Sequence, residues 1–451
     1  MRKNLGILLL LVIVGISMGA WGGLLNAIKL QTLSSHQGLV AAPMMTPQNL
    51  YRVPGEWTYY PNQLVGELAD RSAGYVQVPH SWPEQPGTHN EFGFATYRVV
   101  LTGLDANRLY GFFIQDEFSA YRLSVNGVEI ARNGLVGKSR ETYRPAVHTE
   151  TGYFKPDALG QAEVIMEIAN FDRSNGGFYN APLLGFAEVV SRYYLNFVSL
   201  EVFIIAFMLA LGLFFAILSI ADHDRHIFLM AVFAIACVLR IVSTGSHVIS
   251  LIFPLLPLQA IIWLEYLSGY LLIPLALMLF NSFGLWHRSR WLHRILIVSI
   301  PAIILFVVLV SNYVLTKSYD YLRIAIALIA FYCVWLLFQG IRKREPGITY
   351  VVLGFLALII GGLNEISPVK INFGLSFATM AFMLLLSVFV VLRFASVKQR
   401  NQSLEFEVLT DALTGLGSRS ALFKALDNWQ NRRDKANLQI LFMDLNRFKQ
   451  V

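Results

Sequence analysis

LNFVSLEVFIIAFMLALGLFFAILSI, residues 195–220, is apolar from end to end except for Glu201 and a few small polar side chains. A helix needs about 20 such residues to cross the hydrocarbon core of a bilayer, so this stretch predicts a membrane span. Six more follow in close succession, at 227–250, 258–283, 293–316, 319–340, 348–366 and 372–393. Hydrophobic residues make up 55% of the chain and charged residues 14%, an imbalance that places it among membrane proteins before any segment is counted. Upstream, the uncharged stretch Leu5–Leu25 follows Arg2 and Lys3. It reads either as a cleaved signal peptide, with Ser17, Gly19 and Ala20 near its end, or as a retained anchor, the reading its length favours.

Basic residues orient the spans. With the N-terminus inside, the interior loops carry Arg225, then Arg288, Arg290 and Arg294, then Arg342, Lys343 and Arg344, and the tail carries Lys398 and Arg400. The opposite loops carry Lys317 and Lys370. This asymmetry puts the polar region from about Gln31 to Arg192 outside and the C-terminal end inside. The formal net charge of +7 then reflects topology, and no clustered basic face calls for a nucleic-acid partner. Both cysteines, Cys237 and Cys333, fall within membrane segments, so the external region holds together without a disulfide.

That external region alternates short apolar and polar runs: YVQVP at 75–79, ATYRVVLTGL at 95–104, LYGFFIQD at 109–116, YRLSVNGVEIA at 121–131 and AEVIMEIANF at 162–171. Asn126-Gly127 is the pair a type I′ hairpin turn requires, and strands punctuated in this way predict a β-sandwich. GEWTYYPNQL, VPHSWPEQPG, FGFATYRVVL, SAYRLSVNGVEIARNG and IANFDRSNGGFYNAPLLG together resemble the jelly-roll extracellular domain of seven-transmembrane receptors with diverse intracellular signalling modules. That fold is related to galactose-binding domains, and the resemblance implies an external small molecule or carbohydrate as ligand. Trp57, Tyr59, Tyr60, Trp82, Tyr97 and Tyr143 are then either a sugar-stacking surface or sandwich core. Trp82, Trp57 and Tyr97 are the candidate ligand contacts, with Trp82 first because His80 and two prolines flank it. In NFDRSNGG, Asn170, Gly176 and Gly177 read as a tight turn.

Within the spans, Glu201, Arg240, Glu265, Arg323 and Glu365 all fall in the outer half of the bundle. Ionisable groups at that depth pair with each other or face a cavity. Arg323 and Glu365, near helix ends, fit interfacial snorkelling. Arg240, Glu265 and Glu201 are the coupling candidates, with Arg240 and Glu265 expected to interact directly or through water. His247, Asn281 and Asn364 have no metal-ligand spacing.

Past the last span, Val390, Val397 and Leu404 occupy one heptad position and Phe394, Asn401 and Val408 the other, a short seam for a two-stranded coiled coil and hence a homodimer. LTDALTGLGSRSALFKAL at 409–426 and LQILFMDLNRFKQV at 438–451 follow. The second is a buried-strand pattern ending in a carboxylate, the edge at which open α/β sheets bind ligands. Asp444 there suits a hard cation such as Mg²⁺, and Lys449 suits phosphate charge. A lone acid in this setting reads first as a helix cap, and the upstream TDALTGL reverses that preference. The two runs together resemble the opening of a GGDEF domain, the diguanylate cyclase module that makes cyclic di-GMP from two GTP molecules. Asp411, Leu413, Thr414, Gly415, Leu416, Ser418 and Arg419 match its first pattern, and Asp444, Leu445, Asn446, Phe448 and Lys449 its second. The match covers only the start of such a domain, before its guanine contact and signature turn, so the polypeptide ending at Val451 is expected to be inactive alone.

The expected fold is therefore a multidomain membrane protein with an external all-β jelly-roll sandwich, a seven-helix α bundle plus N-terminal anchor or signal helix, and a truncated cytoplasmic α/β GGDEF-like domain. Its divisions are 1–26 signal anchor or signal peptide, 27–192 sandwich, 193–395 bundle, 396–410 signalling helix and 411–451 GGDEF-like start. The leading functional reading is a bacterial inner-membrane receptor, sandwich periplasmic and C-terminus cytoplasmic, with a cyclase output using GTP and Mg²⁺. The alternatives are a non-catalytic receptor with a shortened output domain and a transporter, the latter opposed by the absence of an obvious repeat.

Overall fold

A computed structural model describes residues 28–430 and 441, except 43–44, 68–72, 83–90, 118, 175, 283–289, 320, 323, 325–330, 332–347, 367–372 and 412–413. The chain divides into two compact units, Met1–Leu386 and Ser387–Val451.

Among the described residues fourteen strands, β1–β14, precede the first helix, the last of them β14 at Leu183–Phe186. One sheet has the order β1 (Lys29–Thr32), β3 (Asn49–Arg52), β14, β8 (Tyr110–Ile114), β11 (Glu150–Phe154); the other runs β10 (Val128–Asn133), β9 (Ala120–Val125), β12 (Ala162–Asn170), β7 (Gly93–Thr102), β4 (Gly55–Pro61), β5 (Gly74–Val78), with β2 (Leu39–Ala41) paired to β7. The pairings are antiparallel except β1 with β3 and β2 with β7. Asn126 and Gly127 both have positive φ and join β9 to β10, as the hairpin pair predicts.

The core fills the space between the two sheets. Trp57, Tyr97, Leu123 and Met166 come from one, and Tyr51, Phe112 and Leu184 from the other. Side chains alternate across a strand, so Leu50, Phe113 and Leu183 point to the opposite face. There they pack on Val189, Val190, Tyr193 and Phe197 of the first described helix, α1, at Ala187–Asp222. Strand β8, YGFFI, is consequently buried at every position, which explains why its sequence is a continuous apolar run. No linker separates sandwich from bundle: β14 ends at Phe186 and α1 begins at the next residue.

Helix α1 buries Tyr193, Phe197, Leu200, Ile204, Met208 and Phe215 at helical spacing while Leu195, Val202, Leu209 and Leu213 stay exposed. An apolar face left outward is the signature of a helix solvated by lipid. The next helices are α2 (Arg225–Val242), the short α3 (Val248–Ile252), α4 (Leu258–Ser282), α5 (Arg290–Leu309), α6 (Ile348–Ile366) and α7 (Gly374–Leu409). Among the described residues five are long and apolar enough to cross a membrane, and Thr349–Asn364 is a shorter apolar helix. Most of the expected 319–340 span and all of Leu5–Leu25 lie outside the described residues.

Two expected spans are interrupted. The 227–250 segment ends as a helix at Val242, where the Ser243 and Thr244 hydroxyls donate to the Leu239 and Arg240 carbonyls and Gly245 turns with φ +68°. Side chains that satisfy the last carbonyls and the left-handed Gly245 stop the helix where residues 243–247 interrupt the apolar run, which resumes at Val248. The 293–316 segment likewise breaks after Leu309, and residues 312–319 form a separate helical stretch.

In the second unit Asp411 and residues 414–417 are held by local hydrogen bonds. Asp411 accepts from the Thr414 N–H and hydroxyl at 2.9 and 2.8 Å, Gly415 has φ +69°, and Thr410 bridges Gly417. The Ser418 hydroxyl caps the helix α8 (Arg419–Gln430) through the Ala421 N–H at 3.3 Å. Asp444 and Lys449 lie outside the described residues, as do the side chains of Phe394, Val397, Asn401, Leu404 and Val408.

Candidate functional site

The polar turn after β12 (Ala162–Asn170) builds the site from the sandwich side. The Asn170 side chain donates to the Arg173 and Glu91 carbonyls at 2.8 and 3.0 Å and accepts from the Arg173 N–H at 3.2 Å, folding FDRS into a tight loop. Its tip enters the bundle. The Ser174 N–H donates to Thr316 at 2.9 Å, and the Arg173 guanidinium lies 3.8 Å from the Glu265 carboxylate of α4, both side chains buried. Burial, the largest single influence, opposes the guanidinium charge, but Glu265 together with Tyr266, Asp116 and Tyr143 outweighs it and holds Arg173 above its ordinary value.

A second contact crosses the same junction. Asp116, at the end of the β8 segment, is fixed by Asn133 at 3.3 Å and faces Nε2 of His247 at 3.4 Å. Both are buried. Its neighbour Glu117 accepts from the Tyr179 and Asn180 N–H groups, the shorter at 2.6 Å, while burial pushes its carboxyl above the usual range. Val147 packs on Ile249 and Ile261, and Lys317 reaches Glu91 at 3.3 Å on the rim.

The coupling candidates occupy this layer. Arg240 and Glu265 do meet, though not as an ion pair. Arg240 Nη1 donates to the Glu265 main-chain carbonyl and Nη2 to Tyr319 Oη, each at 3.0 Å, while the Glu265 carboxylate turns to Arg173. Glu201 accepts the Ser246 N–H at 3.1 Å and also its hydroxyl. Gly245 makes this possible, because a Cβ there would overlap the carboxylate. Glu201, Arg240, Gln115, Thr244 and Thr379 line one cavity of about 200 Å³ beneath the sandwich. That is smaller than the ~300–1,000 Å³ of typical small-molecule pockets and suits waters or a very small polar ligand. Arg323 and the Glu365 side chain lie outside the described residues.

The aromatic candidates are in the core. Trp57 and Tyr97 are fully buried and Trp82 is 4% exposed. Trp57 meets Phe178 edge-on at 5.3 Å, and Tyr97 Oη takes the Trp82 Nε1 proton at 2.8 Å. Trp57 and Tyr97 pack on Phe178, and all three side chains are buried, which leaves no open ring face for a pyranose. Gly176 lies against Trp82, where a Cβ would strike the indole and come within 2.5 Å of the Glu91 carbonyl. Sequence reasoning passed over Arg173 and Asp116 and set His247 aside for want of metal-ligand spacing. A charged residue inside a Gly- and Asn-rich turn was the available signal for Arg173.

Residues 198–393 match the family model described as 7TM diverse intracellular signalling. No curated protein matches the chain. Among solved structures, a β-galacturonidase from Eisenbergiella tayi bound to galacturonate is 15% identical, over 29% of this chain and 22% of that one, with a TM-score of 0.22. A Faecalibacterium prausnitzii β-glucuronidase is 14% identical over 30% of each chain, with a TM-score of 0.23. Ruminococcus gnavus β-glucuronidase in complex with D-glucuronic acid is 13% identical over 30% of this chain and 29% of that one, with a TM-score of 0.23. The chain thus spans less than a third of these enzymes, and likenesses this slight bear on neither fold nor ligand. The family match and the membrane-capable helices support a multi-pass membrane protein of the sensor or signalling-receptor kind.

Proposed function

We propose that the protein is a homodimeric inner-membrane receptor: its periplasmic sandwich responds to an external small molecule, with carbohydrate the class the jelly-roll resemblance implies, and its bundle sets a cytoplasmic diguanylate cyclase-type output. One observation carries the receptor reading. The sandwich inserts a buried charge, Arg173, onto a buried carboxylate of the bundle, Glu265. Removing one member of such a pair costs about 3–5 kcal/mol, so a ligand that shifts the 170–174 turn has the leverage to change which bundle conformation is favoured. A ligand bound anywhere on the sandwich acts only through its differential affinity for those conformations.

The output rests on the two C-terminal runs. In that reading Asp444 would hold Mg²⁺, Lys449 would offset phosphate charge, and two GTP-loaded domains would face each other across paired helices. Cyclic di-GMP measured in cells that express the complete gene product tests it. Wild type is expected to raise the dinucleotide above the vector control, and Asp444→Ala to abolish the rise at equal membrane levels. Equal product from both would overturn the cyclase assignment and leave the receptor reading standing.

A further inference from the structure

A second cavity, of about 330 Å³, lies at the end of the bundle remote from the sandwich. The chain direction fixes that end. Helix α1 leaves the sandwich at Ala187, and the loop after α2 returns to it through His247 and Asp116. Ile261, near the start of α4, packs on Val147, and Thr316, beyond α5, binds Ser174. The start of α2, the end of α4 and the start of α5 therefore share the remote end, and these three segments line the cavity.

Its walls are graded along all three helices. Arg225, His226, Asn281 and His293 stand at the helix ends, and Val232, Leu275 and Ile300 lie deeper. Val232 and Ile300 each follow their terminal basic residue by about 10 Å, at 1.5 Å rise per residue. Leu275 and Met278 close the back, while Arg225, His293 and Phe228, the last 58% exposed, open it sideways to the surroundings of the bundle. Arg225 makes no ion pair among the described residues. Helix α5 adds the positive end of its dipole to the same rim, whereas the α2 N-terminus is capped by the Asp224 carboxylate, which accepts from the His226 N–H at 2.8 Å, so the anion would meet the Arg225 and His293 side chains and not the α2 backbone.

We propose that this cavity is a binding site for an anionic phospholipid, with an acyl chain between α2, α4 and α5 and the phosphate at Arg225 and His293. A soluble phosphate would use the rim and leave the apolar depth unfilled. A zwitterionic lipid would fill the depth while placing its own cation beside Arg225. Only an anionic amphiphile matches both halves, and basic clusters at membrane-helix ends recognise such headgroups by the same charge attraction. The site is independent of the receptor reading and of which compartment the remote end faces.

Native mass spectrometry of the detergent-purified chain, titrated separately with phosphatidylglycerol, phosphatidylcholine and glycerol phosphate, tests the assignment. Wild type is expected to retain one phosphatidylglycerol at roughly tenfold lower concentration than phosphatidylcholine, and no glycerol phosphate. Arg225→Gln with His293→Gln is expected to bring the two lipids level, and Val232→Trp, which fills the depth, to reduce both. Equal retention of the two lipids by wild type would overturn the proposal, and so would binding of glycerol phosphate at the lipid's concentration. Because those readings are made on wild type, failure of a variant to fold does not protect the idea.

Discussion

His80 sits beside the sandwich core with Nδ1 3.0 Å from Tyr97 Oη and Nε2 without a hydrogen-bond partner among the described residues. Burial pushes its imidazole down to about 4. The unfolded chain takes up this proton near 6.5, so between those values the unfolded state binds more protons. Stability is complete above pH 6.5 and declines as pH falls toward 4. At pH 5 the expected loss is about 1 kcal/mol, allowing for solvent screening of a partly exposed ring. Denaturant melts at pH 7.5 and 5.0 check this: His80→Gln is expected to flatten the difference, and equal slopes would assign the acid sensitivity elsewhere. Gly176→Ala carries a different expectation. Its methyl group has no room beside Trp82, so overpacking should lower stability by about 1–3 kcal/mol, read as a fall in midpoint without change of slope. The NFDRSNGG turn was legible as a turn, but not the reason for its glycine, because only the fold brings Trp82 against it. Trp57 and Tyr97 show a related limit: a flat apolar ring suits a sugar face and a protein core equally well, and composition does not choose between them.

At the scale of elements the Arg173 turn and α4 form the test case. Arg173→Leu and Glu265→Leu are each expected to destabilise the detergent-solubilised protein by several kcal/mol, and the double variant to recover part of that as a coupling of about 1–3 kcal/mol. Arg240 meets Glu265 through its main chain, so the cycle of Arg240→Leu with Glu265→Leu should give a smaller coupling. A larger value for Arg240 would reverse the pairing. Apolar periodicity located the membrane helices because lipid and helix neighbours demand the same side chains. It misplaced their ends for the same reason. The stop at Val242 falls where residues 243–247 break the run, two hydroxyls bond back to carbonyls and Gly245 turns left-handed, a short break that an apolar average over a whole span smooths away. Strands were legible where one face is wet. Strand β8, covered on one side by core and on the other by α1, announces only that it is buried.

For the whole molecule, the charge asymmetry of the loops makes a claim about sides. Alkaline phosphatase fused after Glu150 is expected to be active, and fused after Arg344 or Arg400 inactive, with fluorescent-protein fusions giving the reverse. The same sign at Glu150 and Arg400 would mean a wrong parity of crossings. Two-sheet architecture and a multi-pass bundle were both readable from sequence, whereas the polar junction between them was not, since its members are separated by as much as the distance from Asp116 to Thr316 in the chain. The direct passage of β14 into α1 has a consequence for building hybrids. A receptor chimera cut at the apparent edge of the bundle, near residue 195, would divide Tyr193 from Phe197, which both pack on Phe113 of the sheet. A foreign sandwich grafted there would arrive without the helical turns that are its own floor. The exchangeable unit runs past the membrane surface, and viable swaps should carry the first three turns of α1 with the strands.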